Sequence, residues 1–325
     1  MNLFYASDFT DLWFELKKRG ATKIYDNLRF TERARTAKHF NKIDTRCCDW
    51  WIIPQIKQRW NLLISGNQEK DFSDYLCENY FNRENNYSVL SIGSGGGNPE
   101  IKLARHNCFS SIEAFDISDE IVAHANKKLK HENLPNLKFF TADVYEFDFT
   151  KKQYDAIMFH SSLHHLKNHK SIFEKVKQGL KPGGLLLLTH EYVGANRFQI
   201  SDEQLSFINK VYDEKLPKQY KLRYDGIHYK QSVSKPGLLR LYLADPSESS
   251  ESENILPLIH QQFKTIEEKP LGGNLLHLLL KDIAHNFLNE DENISQLLEE
   301  LFATEDNYLN TGKQSDFVFG IYGVS

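Results

Sequence analysis

Residues 88–100 read SVLSIGSGGGNPE, an apolar run that opens into four glycines within five positions. Val89, Leu90 and Ile92 suit a strand buried in a parallel sheet. Gly93, Gly95 and Gly97 admit positive φ angles and let the backbone come close to a ligand that any Cβ would hold off. The stretch therefore reads as a strand that delivers a nucleotide-like ligand onto the start of a helix. Surface loops also gather glycine, so the downstream residues decide the reading.

About twenty residues on, 111–116 (SIEAFD) is a second apolar run closing in an acid, the position at which doubly wound sheets hold ribose hydroxyls with a carboxylate. A ribose-bearing ligand is expected. A helix comes next, with Ile121, Ala125 and Leu129 spaced by four on one face, and 137–143 (LKFFTAD) makes a third strand that also ends in an acid. A fourth strand is expected at 154–160, a helix at 171–180, and a KPGG turn at 181–184 leading into a fifth strand at 185–189. The alternation predicts an α/β fold with a doubly wound, mostly parallel sheet.

The order IGSGGG, FDIS, TAD, FHSSLHHL and LKPGGLLLLTHEY, over about residues 87–194, resembles the motif run of the class I S-adenosylmethionine-dependent methyltransferases. That resemblance implies a Rossmann-like sheet, S-adenosyl-L-methionine as cofactor and methyl transfer as the activity. It further implies that Gly93, Ser94, Gly95 and Gly97 pass under the methionine and ribose and that Asp116, with Ile117, holds both ribose hydroxyls. Asp143, with Val144, would bind the adenine end, and the backbone near His160 would flank the cofactor. One position departs from the pattern. The family usually carries an acid two residues before the first glycine, where this chain has Ser91, and Glu100 can replace it only if its helix turns it inward. A dinucleotide dehydrogenase is the competing reading of the same fold, but Asn98 stands where the G-x-G-x-x-G fingerprint needs its last glycine.

A length of 325 residues is ample for a full core, and 40% hydrophobic with 26% charged residues is ordinary for a globular protein. No apolar stretch reaches membrane-spanning length, and the N-terminus lacks a basic-then-apolar arrangement, so a cytoplasmic location is expected. Cys47, Cys48, Cys77 and Cys108 form no CxxC pair and read as reduced thiols. With a net charge of −4 and scattered lysines, there is no footprint for nucleic acid.

Four regions are expected. Residues 1–85 read as a helical layer holding Trp13, Trp50, Trp51 and Trp60, the chain's only tryptophans, either docking on the sheet or serving as a lid. Residues 86–194 are the cofactor core. Residues 195–254 are an insertion over the ligand edge, opening with the capping-box sequence Ser201-Asp202-Glu203-Gln204 and ending in the polar tract SESSESE at 247–253, read as a solvated, mobile loop. Residues 255–325 should supply helices at about 274–288 and 294–303 and the strands 265–269 and 316–322, completing seven strands.

A sulfonium methyl is already activated, so its transfer mainly needs an acceptor held in line, with a base only for a hydroxyl or a protonated amine. His160, His164, His165 and His169 come after the fourth strand and Thr189-His190-Glu191-Tyr192 after the fifth, at the acceptor edge. His164, His165 and Glu191 are the candidate catalytic residues. Arg59, Trp60, Asn61, Tyr192, Arg197 and Arg223 are the candidate substrate contacts, with Arg59, Trp60 and Asn61 offering a cation, a ring and an amide in one turn. Ordinary packing competes for each histidine, Glu191 could simply pair with Arg197, and no metal site is expected because no cysteine or close acid completes the H-x3-H spacings. The Pro-Pro-aromatic sequence of amino methylation on nucleobases is absent after the fourth strand. The acceptor is accordingly expected to be an oxygen of a small molecule or glycan precursor. A nitrogen of a small molecule or protein side chain remains the alternative, as does a cofactor-binding partner subunit without catalysis. Oligomeric state is not legible.

Overall fold

Five strands succeed one another, with helices between all but the third and fourth, because each is an apolar run punctuated by glycine, proline, a turn or a helix cap. In the computed structural model, which describes residues 50–82, 86–289 and 291–324, these are β1 (Tyr87–Ile92), β2 (Phe109–Asp116), β3 (Leu137–Thr141), β4 (Tyr154–His160) and β5 (Leu180–Tyr192). They pair in parallel, and β6 (Phe263–Gly272) and β7 (Phe317–Val324) close the sheet antiparallel in the order β3-β2-β1-β4-β5-β7-β6. The sheet is the expected seven-stranded, mostly parallel one. Chain order reverses between β1 and β4, so the carboxyl ends of these two strands part to leave a crevice.

The period of two along each strand divides the core. Val89, Ala156, Met158 and Leu187 face one side, where they meet the helices α1 (Pro54–Ser65), α2 (Phe72–Asn79), α3 (Asn98–Ala104) and α4 (Asp119–Leu129). Leu90, Ile157, Phe159 and Leu186 face the other, against α5 (His169–Gly179). The insertion contributes α6 (Asp202–Lys215) and α7 (Leu238–Ala244), and the C-terminal region α8 (Ile255–Gln262), α9 (Leu276–Leu280) and α10 (Glu292–Leu309). Among the described residues no helix is long and apolar enough to cross a membrane.

Several boundaries differ from expectation for identifiable reasons. KPGG is a bulge inside β5, where pairing with β4 jumps from Leu180 to Leu185. The helix expected over 274–288 is broken: the Lys230 ammonium donates to the carbonyls of Leu278, Leu279 and Lys281, and Asp282 takes a positive φ of 69°. A buried cation thus satisfies the carbonyls that a continuing helix would have used. The capping box at Ser201 is only half formed, since Ser201 accepts from Gln204 N while the Gln204 amide reaches Asn274 O and Asp316.

The tract at 247–253 is packed largely inward and is not the solvated loop its composition suggested. Ser247, Ser249 and Ser252 are buried, because Arg197 donates to the carbonyls of Pro246 and Glu248 while Ser252 Oγ donates to Gly194 O. Cys77 and Cys108 are not bonded to each other, and their sulfurs lie 3.0 Å apart. Trp13, Cys47 and Cys48 lie outside the described residues.

Candidate functional site

The glycine turn after β1 is held in shape from beneath. Gly97 starts α3 at φ 77°, and a Cβ there would stand 2.6 Å from the Phe139 ring. Gly95, at φ 51°, faces open space, and its N–H donates to Asp116 Oδ2 at 3.0 Å. Asp116 Oδ1 accepts from Ser118 N at 3.0 Å. The carboxylate is thereby fixed at the end of β2 with lone pairs to spare for a ligand. Asp143 is fixed in the same way, accepting from Tyr145 N at 2.8 Å.

These groups open on a cavity of about 1110 Å³. All nine expected cofactor residues line it: Gly93, Ser94, Gly95, Gly97, Asp116, Ile117, Asp143, Val144 and His160. Ser94 Oγ is buried there without a hydrogen-bond partner. A cradle of glycine backbone, a spare hydroxyl and two anchored carboxylates fit a nucleoside-type ligand that carries a ribose. The volume exceeds the roughly 300–1,000 Å³ usual for one small ligand, which leaves room for a second.

Ser91 departs from the usual acid, and the neighbouring helix compensates. α3 turns Glu100 inward, fully buried, where it accepts from Ser91 Oγ at 2.6 Å and keeps Oε2 without a partner. Burial pushes its carboxyl up to about 7, partly offset by the Ser91 hydrogen bond. Neither Ser91 nor Glu100 lines the cavity, so the carboxyl sits beneath the turn.

The far part of the cavity is aromatic. Trp51, Trp60, Phe72 and His190 line it beside His160, with His190 ring centroids 4.6 Å from Trp60 and 5.0 Å from His160. Trp60 is fixed by donating to Leu271 O at 2.8 Å, and His160 by Thr189 Oγ1 at 2.7 Å. A β5 bulge sets His190 at φ 55°, in the left-handed region that non-glycine residues avoid. Burial, reinforced by His160 and Lys102, holds His190 well below the usual imidazole range, and burial lowers His160 to about 4. Both are neutral at physiological pH. His190 lines the cavity, and its Nε2 is buried without a hydrogen-bond partner.

The histidines separate into two groups. Glu191, fully buried, accepts from the backbone N–H of Ser162, Leu163 and His164 at 2.9–3.1 Å and from His164 Nδ1 at 2.6 Å. Burial alone would lower His164 and raise Glu191. Their mutual attraction, with Glu248 and Asp245 acting on His164 and the amide donors on Glu191, reverses both shifts. An ionised carboxylate only accepts, so Nδ1 carries the hydrogen. This pair lies behind the wall, and only the adjacent His165 lines the cavity. His164, His165 and Glu248 bring ligand atoms within 4.8 Å of one another, an approach that no spacing in the sequence signals.

The expected substrate contacts divide similarly. Trp60 and Asn61 line the cavity, whereas Arg59, Tyr192, Arg197 and Arg223 do not. Arg59 is bound to Asp306 at 2.6 Å and lies 3.6 Å from Glu305. Tyr192 donates to Ala195 O, Arg197 serves the 246–248 carbonyls instead of Glu191, and Arg223 faces Asp282 at 3.9 Å. His190, Trp51 and Phe72 join the cavity without having been expected there. Only their placement after strand five or in the aromatic N-terminal layer hinted at them.

Residues 89–184 match the family model described as a methyltransferase domain. Malonyl-[acyl-carrier protein] O-methyltransferase 2 of Ilyobacter polytropus is 29% identical over 103 residues, covering 32% of this chain and 39% of the relative. Phosphoethanolamine N-methyltransferase 2 of Caenorhabditis elegans is 24% identical over 102 residues, covering 31% and 22%. The chain thus spans under two fifths of the length of either. Among solved structures, phosphoethanolamine N-methyltransferase 2 of Haemonchus contortus in complex with S-adenosyl-L-methionine aligns at TM-score 0.48 and 14% identity over 82% of this chain and 56% of that one.

Proposed function

We propose, from the premise that residues 89–184 are a class I S-adenosylmethionine-dependent methyltransferase domain, that the chain methylates an oxygen of a small acceptor held in the aromatic part of its cavity. The observation that carries this reading is the continuity of one cavity from the glycine turn and Asp116 to Trp51, Trp60, Phe72 and His190. Bound there, S-adenosyl-L-methionine supplies an activated sulfonium methyl. Asp116 and Asp143 take its ribose and adenine ends, and Ser94 Oγ offers a hydroxyl not otherwise engaged. Glu100, under the turn, stands in for the acid that the family pattern puts at the position of Ser91, and a cationic ligand above it would favour its ionised form.

The rest of the chain's work is positioning and one proton. Aromatic walls exclude water and hold the acceptor against the methyl end of the cofactor. A hydroxyl becomes strongly acidic as its oxygen acquires the methyl group, so even a weakly basic imidazole can take the proton in the transition state. His190 suits this step because it lines the cavity, is neutral and has a ring nitrogen that no group of the chain engages. His164, expected in that role, gives its Nδ1–H to Glu191, whose charge raises the imidazole above its usual range, and stands behind the wall. The curated relatives include both an O- and an N-methyltransferase, so the acceptor atom is argued from the histidines alone.

The test is methyl transfer to a panel of small hydroxyl and amine acceptors, read as S-adenosylhomocysteine formed, for the wild type and His190→Gln. Loss of about 10²–10⁴ in kcat on a hydroxyl acceptor with cofactor affinity unchanged is expected. Transfer to amines only, or an unchanged kcat in His190→Gln, would reject the oxygen-acceptor mechanism.

A further inference from the structure

We infer that His164, His165 and Glu248 form a binding site for one divalent transition-metal ion at the wall of the cavity. Each offers one ligand atom, and the three atoms lie within 4.8 Å of one another. His164 Nε2 and Glu248 Oε1 are 3.7 Å apart. Bonds of about 2.0–2.2 Å in a tetrahedral arrangement put neighbouring ligand atoms roughly 3.3–3.6 Å apart. Small side-chain rotations therefore close the site around an ion.

The surroundings are those of a metal centre. His164 presents its other ring nitrogen, Nδ1, to Glu191 at 2.6 Å, and Glu191 is itself locked by three backbone N–H groups. A carboxylate behind a ligating histidine fixes the tautomer and leaves Nε2 for the ion. His165 Nδ1 meets Ser247 Oγ at 3.3 Å, and that hydroxyl donates to the buried Asp245 carboxylate at 2.6 Å. Glu248 reaches the histidines because Arg197 holds the carbonyls on either side of Ser247, which explains why a serine- and glutamate-rich tract is packed inward at all. Two imidazoles and one carboxylate favour Mn²⁺, Fe²⁺, Co²⁺ or Zn²⁺ over Mg²⁺ or Ca²⁺.

Three protein ligands leave coordination positions open, and His165 and Ser247 both line the cavity. The ion is thus placed to take an oxygen of the acceptor, so that a hydroxyl or carboxylate with a second oxygen beside it is the substrate class favoured. This last step rests on the proposed methyl transfer, whereas the metal site stands on its own geometry.

The experiment is a titration of the chelator-treated, dialysed full chain with Co²⁺, read by its visible absorption, and with Zn²⁺ by calorimetry, using Mg²⁺ as comparison. One saturable Co²⁺ or Zn²⁺ per chain is expected, with affinity at least tenfold weaker in Glu248→Gln and in His165→Gln. Titration of each variant with S-adenosyl-L-methionine shows whether it is folded and separates failure of the metal site from failure of the methyltransferase reading. Absence of saturable binding in the wild type overturns the inference. So does binding that both variants retain, which would place the ion at an exposed pair such as His228–Asp225 or His260–Glu268.

Discussion

Asp116 holds the turn and the ligand edge together, because its two oxygens accept from Gly95 and Ser118 while facing the cavity. Replacing it by alanine should weaken S-adenosyl-L-methionine binding by about 1.5–3 kcal/mol, roughly 10- to 150-fold, measured by calorimetry. Affinity unchanged in Asp116→Ala would remove the carboxylate from the site. Gly97→Ala brings two costs, a positive φ of 77° and a Cβ 2.6 Å from the Phe139 ring. A loss of about 1–3 kcal/mol in unfolding free energy is expected by denaturant titration. At this scale the cofactor residues were legible because each belongs to a short local motif at a strand end. The arginines were not legible, since Arg59 is claimed by Asp306, 247 positions along the chain, and Arg197 by carbonyls about fifty positions away. Nothing local to either residue encodes its partner.

Among the elements, strands were read more reliably than the insertion. β1 and β4 are continuous apolar runs buried on both faces of the sheet, and such runs were visible in the sequence. Composition misled at 247–253, where serine and glutamate normally signal solvation. The tract is instead fastened to the core by the guanidinium of Arg197, which satisfies carbonyls that would otherwise be buried unpaired. Arg197→Ala should therefore free this segment, costing roughly 2–3 kcal/mol and raising its amide hydrogen exchange while leaving the glycine turn protected. Exchange unchanged over 245–252 would mean that Ser252 and Asp245 hold the segment without the arginine.

Over the whole molecule, two buried carboxyls give stability a pH dependence. Burial raises Glu100 from 4.5 to about 7, and burial with the charge of Glu305 raises Asp316 from 3.8 to about 7. In each case the folded state keeps a proton that the unfolded chain releases between about pH 4 and 7. The contribution to stability is complete below the unfolded value and is lost as pH rises through 7. For Glu100 alone the difference integrates to about 3 kcal/mol. The buried histidines His160, His190 and His277, held below the usual imidazole range, act with the opposite sign below about pH 6.5. The carboxyls are therefore read by difference: the stability of the wild type relative to Glu100→Gln and to Asp316→Asn should fall from pH 5 to pH 8 in denaturant titrations. Identical slopes in all three proteins would mean that neither carboxyl is protonated when folded. The same equilibrium reaches the ligand. A cationic cofactor seated above Glu100 favours the ionised carboxyl, so binding near pH 7 should release a proton, seen as a dependence of the calorimetric enthalpy on buffer ionisation. That release should disappear in Glu100→Gln, together with part of the affinity. Release that persists in this variant would assign the proton to another group and leave the charge missing at Ser91 without a substitute.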